Sequence, residues 1–301
     1  MNIKIAIVWL LLLGVLCNEK MNEQLNVQIF QSSADGDLFK AIREYTSSEP
    51  IKDTIRVLPE HRFQRIEGFG GAFTESSAYL LNQLSVSKRN EVLNAYFSDS
   101  GANYSLTRTH INSCDFSRSH YSYANTINDT QLVNFNITPD LDDIVPMIID
   151  AQKITKDGFK IIASPWTAPP WMKDNNDWNG GKLKPEFYPS WANYFSKYIS
   201  EYKKEGIDIW AVTVENEPLG NDANWESMHY TPHEMNVFVK EHLGPLFKKK
   251  SLTQKVLVYD QNRGKELEEW AEELLTDSVL SSYIHGTAVH WYTSTNQVME
   301  E

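Results

Sequence analysis

IDIWAVTVENEP, residues 207–218, is an apolar run that ends in Glu215, Asn216 and Glu217 and is stopped by Pro218. A continuously apolar strand is one buried on both faces, as in a parallel sheet covered by helices. Proline has no N–H to donate, so it ends the ladder. Two acids at the end of such a strand raise a chemical question, because Glu217 stands where a strand meets the mouth of a fold.

The flanking sequence repeats the pattern. RIEGFGGAF (65–73), YSLTRTHI (104–111), FKIIASPW (159–166), KVLVYDQN (255–262) and HGTAVHWYT (285–293) read as strands. Each finishes in polar or aromatic residues. Between them lie helical patterns: TESSAYLLNQLSVSKRNEVLNAYF from Thr74, DLDDIVPMIIDAQKI from Asp140, PSWANYFSKYISEYKKEG up to Gly206, PHEMNVFVKEHLGPLF from Pro232 and GKELEEWAEELL from Gly264. Thr74 offers an N-cap, Gly206 a stop, and Asp140, Asp142 and Asp143 an acidic first turn. Strand–helix alternation predicts an α/β fold with a parallel sheet. A doubly wound sheet would carry a glycine-rich phosphate loop after an early strand. GFGGAF (68–73) lacks that spacing, so the expected fold is a (β/α)8 TIM barrel, in which a site forms at the C-terminal ends of the strands. About six of the eight βα units are expected within residues 63–301. Before them, residues 18–62 carry short β-like runs, NVQIF and DTIRVL, read as strands outside the main domain.

Composition narrows the function. The net charge of −12 argues against a nucleic-acid partner, and KKK at 248–250 reads as a solvated helix end. Nine Trp and fourteen Tyr suit stacking on sugar rings, although aromatics also fill cores. Residues 1–17 have the layout of a cleaved secretory signal, and no later segment is apolar enough to span a bilayer. A lipoprotein with Cys17 lipidated is the weaker alternative. With Cys17 gone, Cys114 is alone and reads as a small buried hydrophobe. Asn103, Asn128 and Asn136 head sequons that matter in a eukaryotic host.

The motifs IEGFGGAFTESSA, TRTHINSCDFS, IIASPWTAPPWMK, AVTVENEP, HLGPL and HGTAVHWY occur in an order that resembles glycoside hydrolase family 30 over residues 66–292. That family comprises glucosylceramidases (glucocerebrosidases) and related β-glucanases. The resemblance implies a retaining β-glucosidase-type hydrolase without metal or cofactor, in which Glu217 is the acid/base and Asn216 its neighbour on the sugar. It matches Asp115 and Trp166 to sugar-contacting positions. His290, Trp291 and Tyr292 end the sixth strand and are expected to contact substrate. Arg108 is expected under the site, either biasing a catalytic carboxylate toward ionisation or making a structural ion pair. Trp171 is expected either to contact the sugar as Trp166 does or to pack, Trp225 and Glu226 either to shape a subsite or to anchor their loop, and Asp260 and Arg263 to brace the mouth.

The implied nucleophile is a glutamate ending the seventh strand. It is expected beyond Glu301, since Glu300 and Glu301 sit in a polar tail, and residues 18–62 are expected to belong to the family's accessory β-domain. The expected substrate is a β-glucoside, either a glycolipid or a β-glucan. His110 stands where glucosylceramidase-like members more often show proline, which looks closer to relatives that cleave β-1,6-glucan. A non-catalytic carbohydrate-binding protein or a nonfunctional fragment are the competing readings.

Overall fold

A computed structural model describes residues 27–42 and 54–292. The signal-peptide reading with Cys17, and the tail at Glu300 and Glu301, lie outside these residues. The chain divides into two compact units between Gln64 and Arg65. In the first, Ile29–Gln31 (β1) pairs antiparallel with Lys40–Ile42 (β2), and the Phe30 and Phe39 rings stack 4.6 Å apart. The strand expected in DTIRVL does not form: residues 54–58 are exposed and outside any ladder. An apolar run becomes a strand only where another strand meets its N–H and C=O groups.

The second unit is built on six parallel strands: Ala72–Phe73 (β3), Leu106–Ile111 (β4), Lys160–Pro165 (β5), Ala211–Thr213 (β6), Lys255–Asn262 (β7) and Gly286–His290 (β8). Their spatial order is their sequence order. A doubly wound sheet reverses its order at a switch point, whereas barrel staves follow one another, so these are six consecutive staves of a TIM barrel. RIEGFGGAF contributes only two strand residues. A Cβ at Gly70 would sit 1.6 Å from the Leu106 carbonyl oxygen, so the glycine lets the chain press against β4.

The helices are Glu75–Asn82 (α1), Val86–Phe97 (α2), Ile144–Ile154 (α3), Tyr188–Lys204 (α4), Pro232–Val237 (α5), Gly244–Lys249 (α6), Lys265–Leu275 (α7) and Ser278–Ser281 (α8). The long pattern after Thr74 is two helices, because Ser85 caps a new N-terminus by accepting from Lys88 N–H. The pattern from Pro232 is broken by a π-helical turn, Phe238–Leu243, between α5 and α6. Thr231 and Glu234 form a capping box ahead of it. No helix among the described residues is long and apolar enough to cross a membrane.

The acidic first turn expected before α3 is something else. Asp140 is fully buried, and three tyrosine hydroxyls donate to its carboxylate: Tyr121 at 2.8 Å, Tyr123 at 2.5 Å and Tyr202 at 2.7 Å. Tyr194, Tyr198 and Tyr202 recur every four residues on α4 and present one buried face to the loop after β4. Burial pushes the Asp140 carboxyl up, against the pull of the three hydroxyls that donate to it. This cluster ties the residue 112–137 loop to the helix layer. Asp140→Ala leaves three buried hydroxyls without an acceptor and is expected to lower stability by about 3 kcal/mol. Tyr121→Phe, at the cluster's edge, should cost about 1 kcal/mol. Urea unfolding of both variants checks this, and a loss below that of Tyr121→Phe for Asp140→Ala would refute the anchor.

Candidate active site

Glu217 follows β6 with its backbone in the left-handed region, at φ 51°. A non-glycine residue holds such a conformation only where its surroundings over-determine it, at a cost of about 1–3 kcal/mol. Two bonds hold it: Glu217 N–H donates to the Asp260 carbonyl at 2.9 Å, and Asn216 N–H to the Pro165 carbonyl at 2.7 Å. Asp260 and Tyr259 are themselves left-handed, at φ 53° and 73°, where the β7–β8 register shifts between Tyr259 and Gln261. Bulges of this kind re-aim side chains at barrel rims.

Arg108 on β4 is the hub beneath Glu217. Its Nε donates to Ser164 Oγ at 2.9 Å, and its Nη2 donates to Asn216 Oδ1 at 2.8 Å and Asp260 Oδ2 at 2.7 Å. Thr213 Oγ1 donates to the same Asp260 oxygen at 2.7 Å. The guanidinium also lies 4.8 Å from the Trp166 ring centroid. One side chain therefore joins β4, β5, the end of β6 and β7. Burial would raise Asp260, but the Arg108 charge and the His290 hydrogen bond outweigh it and hold the carboxyl at about 2.

His290, the last residue of β8, bridges two carboxylates. Nδ1 is 3.0 Å from Glu217 Oε1, and Nε2 is 3.0 Å from Asp260 Oδ1. A doubly protonated ring meets both contacts, donating from Nε2 to Asp260 Oδ1 and from Nδ1 to Glu217 Oε1, so the ring is an imidazolium. Burial pulls His290 down, yet the bonds to Asp260 and Glu217 outweigh it and lift it to about 9. This engagement leaves neither nitrogen for a sugar hydroxyl. Asn216 Oδ1 is likewise taken by Arg108.

The two acids of the opening stretch have opposite surroundings. The Glu217 side chain is 22% exposed at the mouth. Glu215 is fully buried, neither carboxyl oxygen has a hydrogen-bond partner, and burial drives it well above the usual carboxylate range despite the Lys173 charge. Glu215 is thus a carboxyl sealed in the wall without a polar partner.

Trp166 lines a cleft of about 260 Å³ with Arg108, His110, Thr74, Ser77 and Phe116. His110 is buried, accepting from Glu75 N–H through Nε2 while Nδ1 faces the Asn112 carbonyl, which fixes a neutral tautomer. Asp115 stands at the rim, its carboxyl pushed up by partial burial and by the charges of Glu217 and Glu226. Trp291 and Tyr292 are exposed and stack on each other at 5.3 Å instead of joining Glu217. Arg263 donates to the Trp291 carbonyl at 3.4 Å. Cys114 is buried with a free thiol. No group of three His, Cys, Asp or Glu that could hold a metal occurs among the described residues.

Sequence reasoning passed over Lys173 and His120. Lys173 is fully buried, and its ammonium donates to Thr167 Oγ1 and to the Trp178 and Ser227 carbonyls, joining the loops after β5 and β6. His120 bonds Glu226 at 2.7 Å and stacks on Trp178 at 5.3 Å. A lysine inside the apolar run PPWMK was the available clue; His120 offered none, since its partners come from other loops.

Comparison with known proteins places this geometry. Residues 66–300 match the glycosyl hydrolase family 30 TIM-barrel domain. Lysosomal acid glucosylceramidase of Mus musculus is 40% identical over 247 residues, covering 79% of this chain and 48% of the mouse protein. Endo-1,6-β-D-glucanase of Neurospora crassa is 31% identical, covering 89% of this chain and 58% of that protein. The crystal structure of SrfJ from Salmonella typhimurium superposes with a TM-score of 0.78 at 34% identity, covering 86% of this chain and 58% of that one. The chain spans about half the length of the curated relatives it matches. A sheet in strand order with Glu217 at its C-terminal edge, and a family match over most of its length, lead to one conclusion: the chain belongs to glycosyl hydrolase family 30.

Proposed function

We propose that the protein is a secreted retaining β-glucosidase-type glycoside hydrolase in which Glu217 is the acid/base. The observation that carries this reading is the contrast between Glu217 and its neighbours. Glu217 is the carboxyl that is held at the strand end, bonded on one oxygen by His290, and still open to the mouth. Asp260 is committed to Arg108, Thr213 and His290, and Glu215 is sealed in the wall.

The reaction needs a proton for the leaving oxygen and a second carboxylate about 5 Å away to attack the anomeric carbon. Glu217 supplies the first role: Oε1 is fixed by His290, so the other oxygen presents the proton to the leaving group. Water attacking the glycosyl intermediate then returns its proton to Glu217. The nucleophile is assigned to a seventh-strand glutamate outside the described residues. Trp166 provides an apolar face for a sugar ring, Asp115 and the Asn216 amide face its hydroxyls, and Trp291 and Tyr292 lie at the outer edge.

The glycone is β-linked glucose, released from glucosylceramide or a related β-glucoside, in line with the name of the mouse relative. A second reading, a β-1,6-glucan as substrate, is favoured by His110 in the wall of the Trp166 cleft and by the solved structure of an endo-β1,6-glucanase at 33% identity and TM-score 0.75.

On the full-length protein, Glu217→Gln is expected to slow hydrolysis of poor leaving groups by about 10²–10⁴-fold while sparing activated aryl glucosides, since only the former need protonation. Equal loss on both series rules Glu217 out as the acid. The imidazolium gives a pH test on this chain. His290 is near 6.5 when unfolded and about 9 when folded, so its contribution is complete below pH 6.5 and disappears as pH rises to about 9. Urea unfolding should show a decline of about 3 kcal/mol across that window, and His290→Gln should flatten it. An unchanged slope in the variant would remove His290 from the bridge.

A further inference from the structure

Trp171 and Trp178 have no task in the chemistry at Glu217. The loops after β4 and β5 enclose a cleft of about 390 Å³ that these two indoles line together with Asn128, Asn176 and Lys184. The Trp171 indole N–H is tied to the Ala124 carbonyl at 2.8 Å, which fixes its ring. Trp178 is held from behind by His120, stacked at 5.3 Å and 10°. Its backbone carbonyl takes both the Lys173 ammonium and Ser227 N–H. Trp171, 8% exposed, closes the floor of the cleft, and the partly exposed Trp178 is its rigid aromatic platform. Around them, the side-chain amides of Asn128 and Asn176 make no hydrogen bond within the described residues, and Lys184 faces only the Phe187 ring at 5.1 Å.

We infer that this cleft is a second carbohydrate subsite, which takes a distal glucosyl unit of a β-glucan chain whose scissile bond lies at Glu217. The inference rests on the glycosidase reading and selects between its two substrates. A fixed aromatic face with uncommitted amide and ammonium donors at its edge matches a sugar: C–H faces stack, and ring hydroxyls bond to the rim. A ceramide tail has no use for three polar side chains. The position is also right. Loops that follow parallel strands all project from the C-terminal end of the sheet, so the cleft shares a face with Glu217. On that face Glu226, from the loop after Glu217, bonds His120, and His120 backs Trp178.

The test uses this chain made in bacteria, where the sequon at Asn128 carries no glycan. Calorimetry follows glucose, β-1,6-linked glucose oligomers of increasing length, and octyl β-glucoside. Affinity should rise about tenfold from the dimer to the longest oligomer. Trp178→Ala should abolish that gain and leave glucose binding unchanged. Asn176→Gly should reduce the gain at least threefold; Asn176 is exposed at φ 52°, a conformation glycine adopts freely, so this variant keeps the fold. No gain with length, a gain that neither variant touches, or octyl glucoside binding tighter than the oligomers would overturn the subsite. Failure of the glycosidase reading looks different: glucose binding is lost or Glu217→Gln leaves hydrolysis intact, while the Trp178-dependent gain persists and supports the cleft.

Discussion

The contact between Arg108 and Asp260 organises the strand ends. One guanidinium, 29% exposed at its side chain, meets a carboxylate that is 4% exposed. Removing one partner of such a pair strands a charge in a low-dielectric wall and costs about 3–5 kcal/mol. Replacing Arg108 by lysine would keep the charge and lose the fork, because a point ammonium cannot reach Ser164, Asn216 and Asp260 at once. From Asp260 the network passes to His290 and then to Glu217. The carboxyl assigned to proton transfer is thus positioned by residues from β4, β7 and β8.

The pair also makes the local strain tolerable. Tyr259, Asp260 and Glu217 all occupy left-handed backbone, an expensive choice for residues with a Cβ. Asp260 accepts from Glu217 N–H through its carbonyl and from Arg108, Thr213 and His290 through its side chain. One residue thereby fixes both the turn and the charge at the site. The bulge at Tyr259–Gln261 is what puts Asp260 where it can do so.

Farther out, two buried charged groups hold the loops that shape the mouth. Asp140 gathers tyrosines from the loop after β4 and from α4. Lys173, lowered to about 8 by burial, joins the loops after β5 and β6. Each ion is saturated with hydrogen bonds, as a buried ion must be. Neither faces an opposite charge within hydrogen-bond reach, so their role is to fix loops and leaves the charge balance of the mouth to Arg108, His290, Asp260 and Glu217.

The residues alone determined the alternation of strand and helix, the parallel sheet, and the position of Glu217 at a strand end. Apolar runs of strand length and 3.6-residue periods are local properties, and burial enforces them wherever the chain goes. Tertiary structure decided what the polar residues do. Asp140 reads as a helix first turn and is the acceptor of three tyrosines. His290 reads as a sugar contact and is an imidazolium bridge. DTIRVL reads as a strand and forms none over residues 54–58. Glu215 and Glu217, two residues apart, read alike and differ in burial and in hydrogen-bond partners. A hydrogen-bond partner, a bulge or a desolvated wall comes from residues 43 to 152 positions away, as with Arg118 on Glu75 and Arg108 on Asp260. Periodicity reports only which face is apolar; the charge state of a group depends on what the fold brings to it.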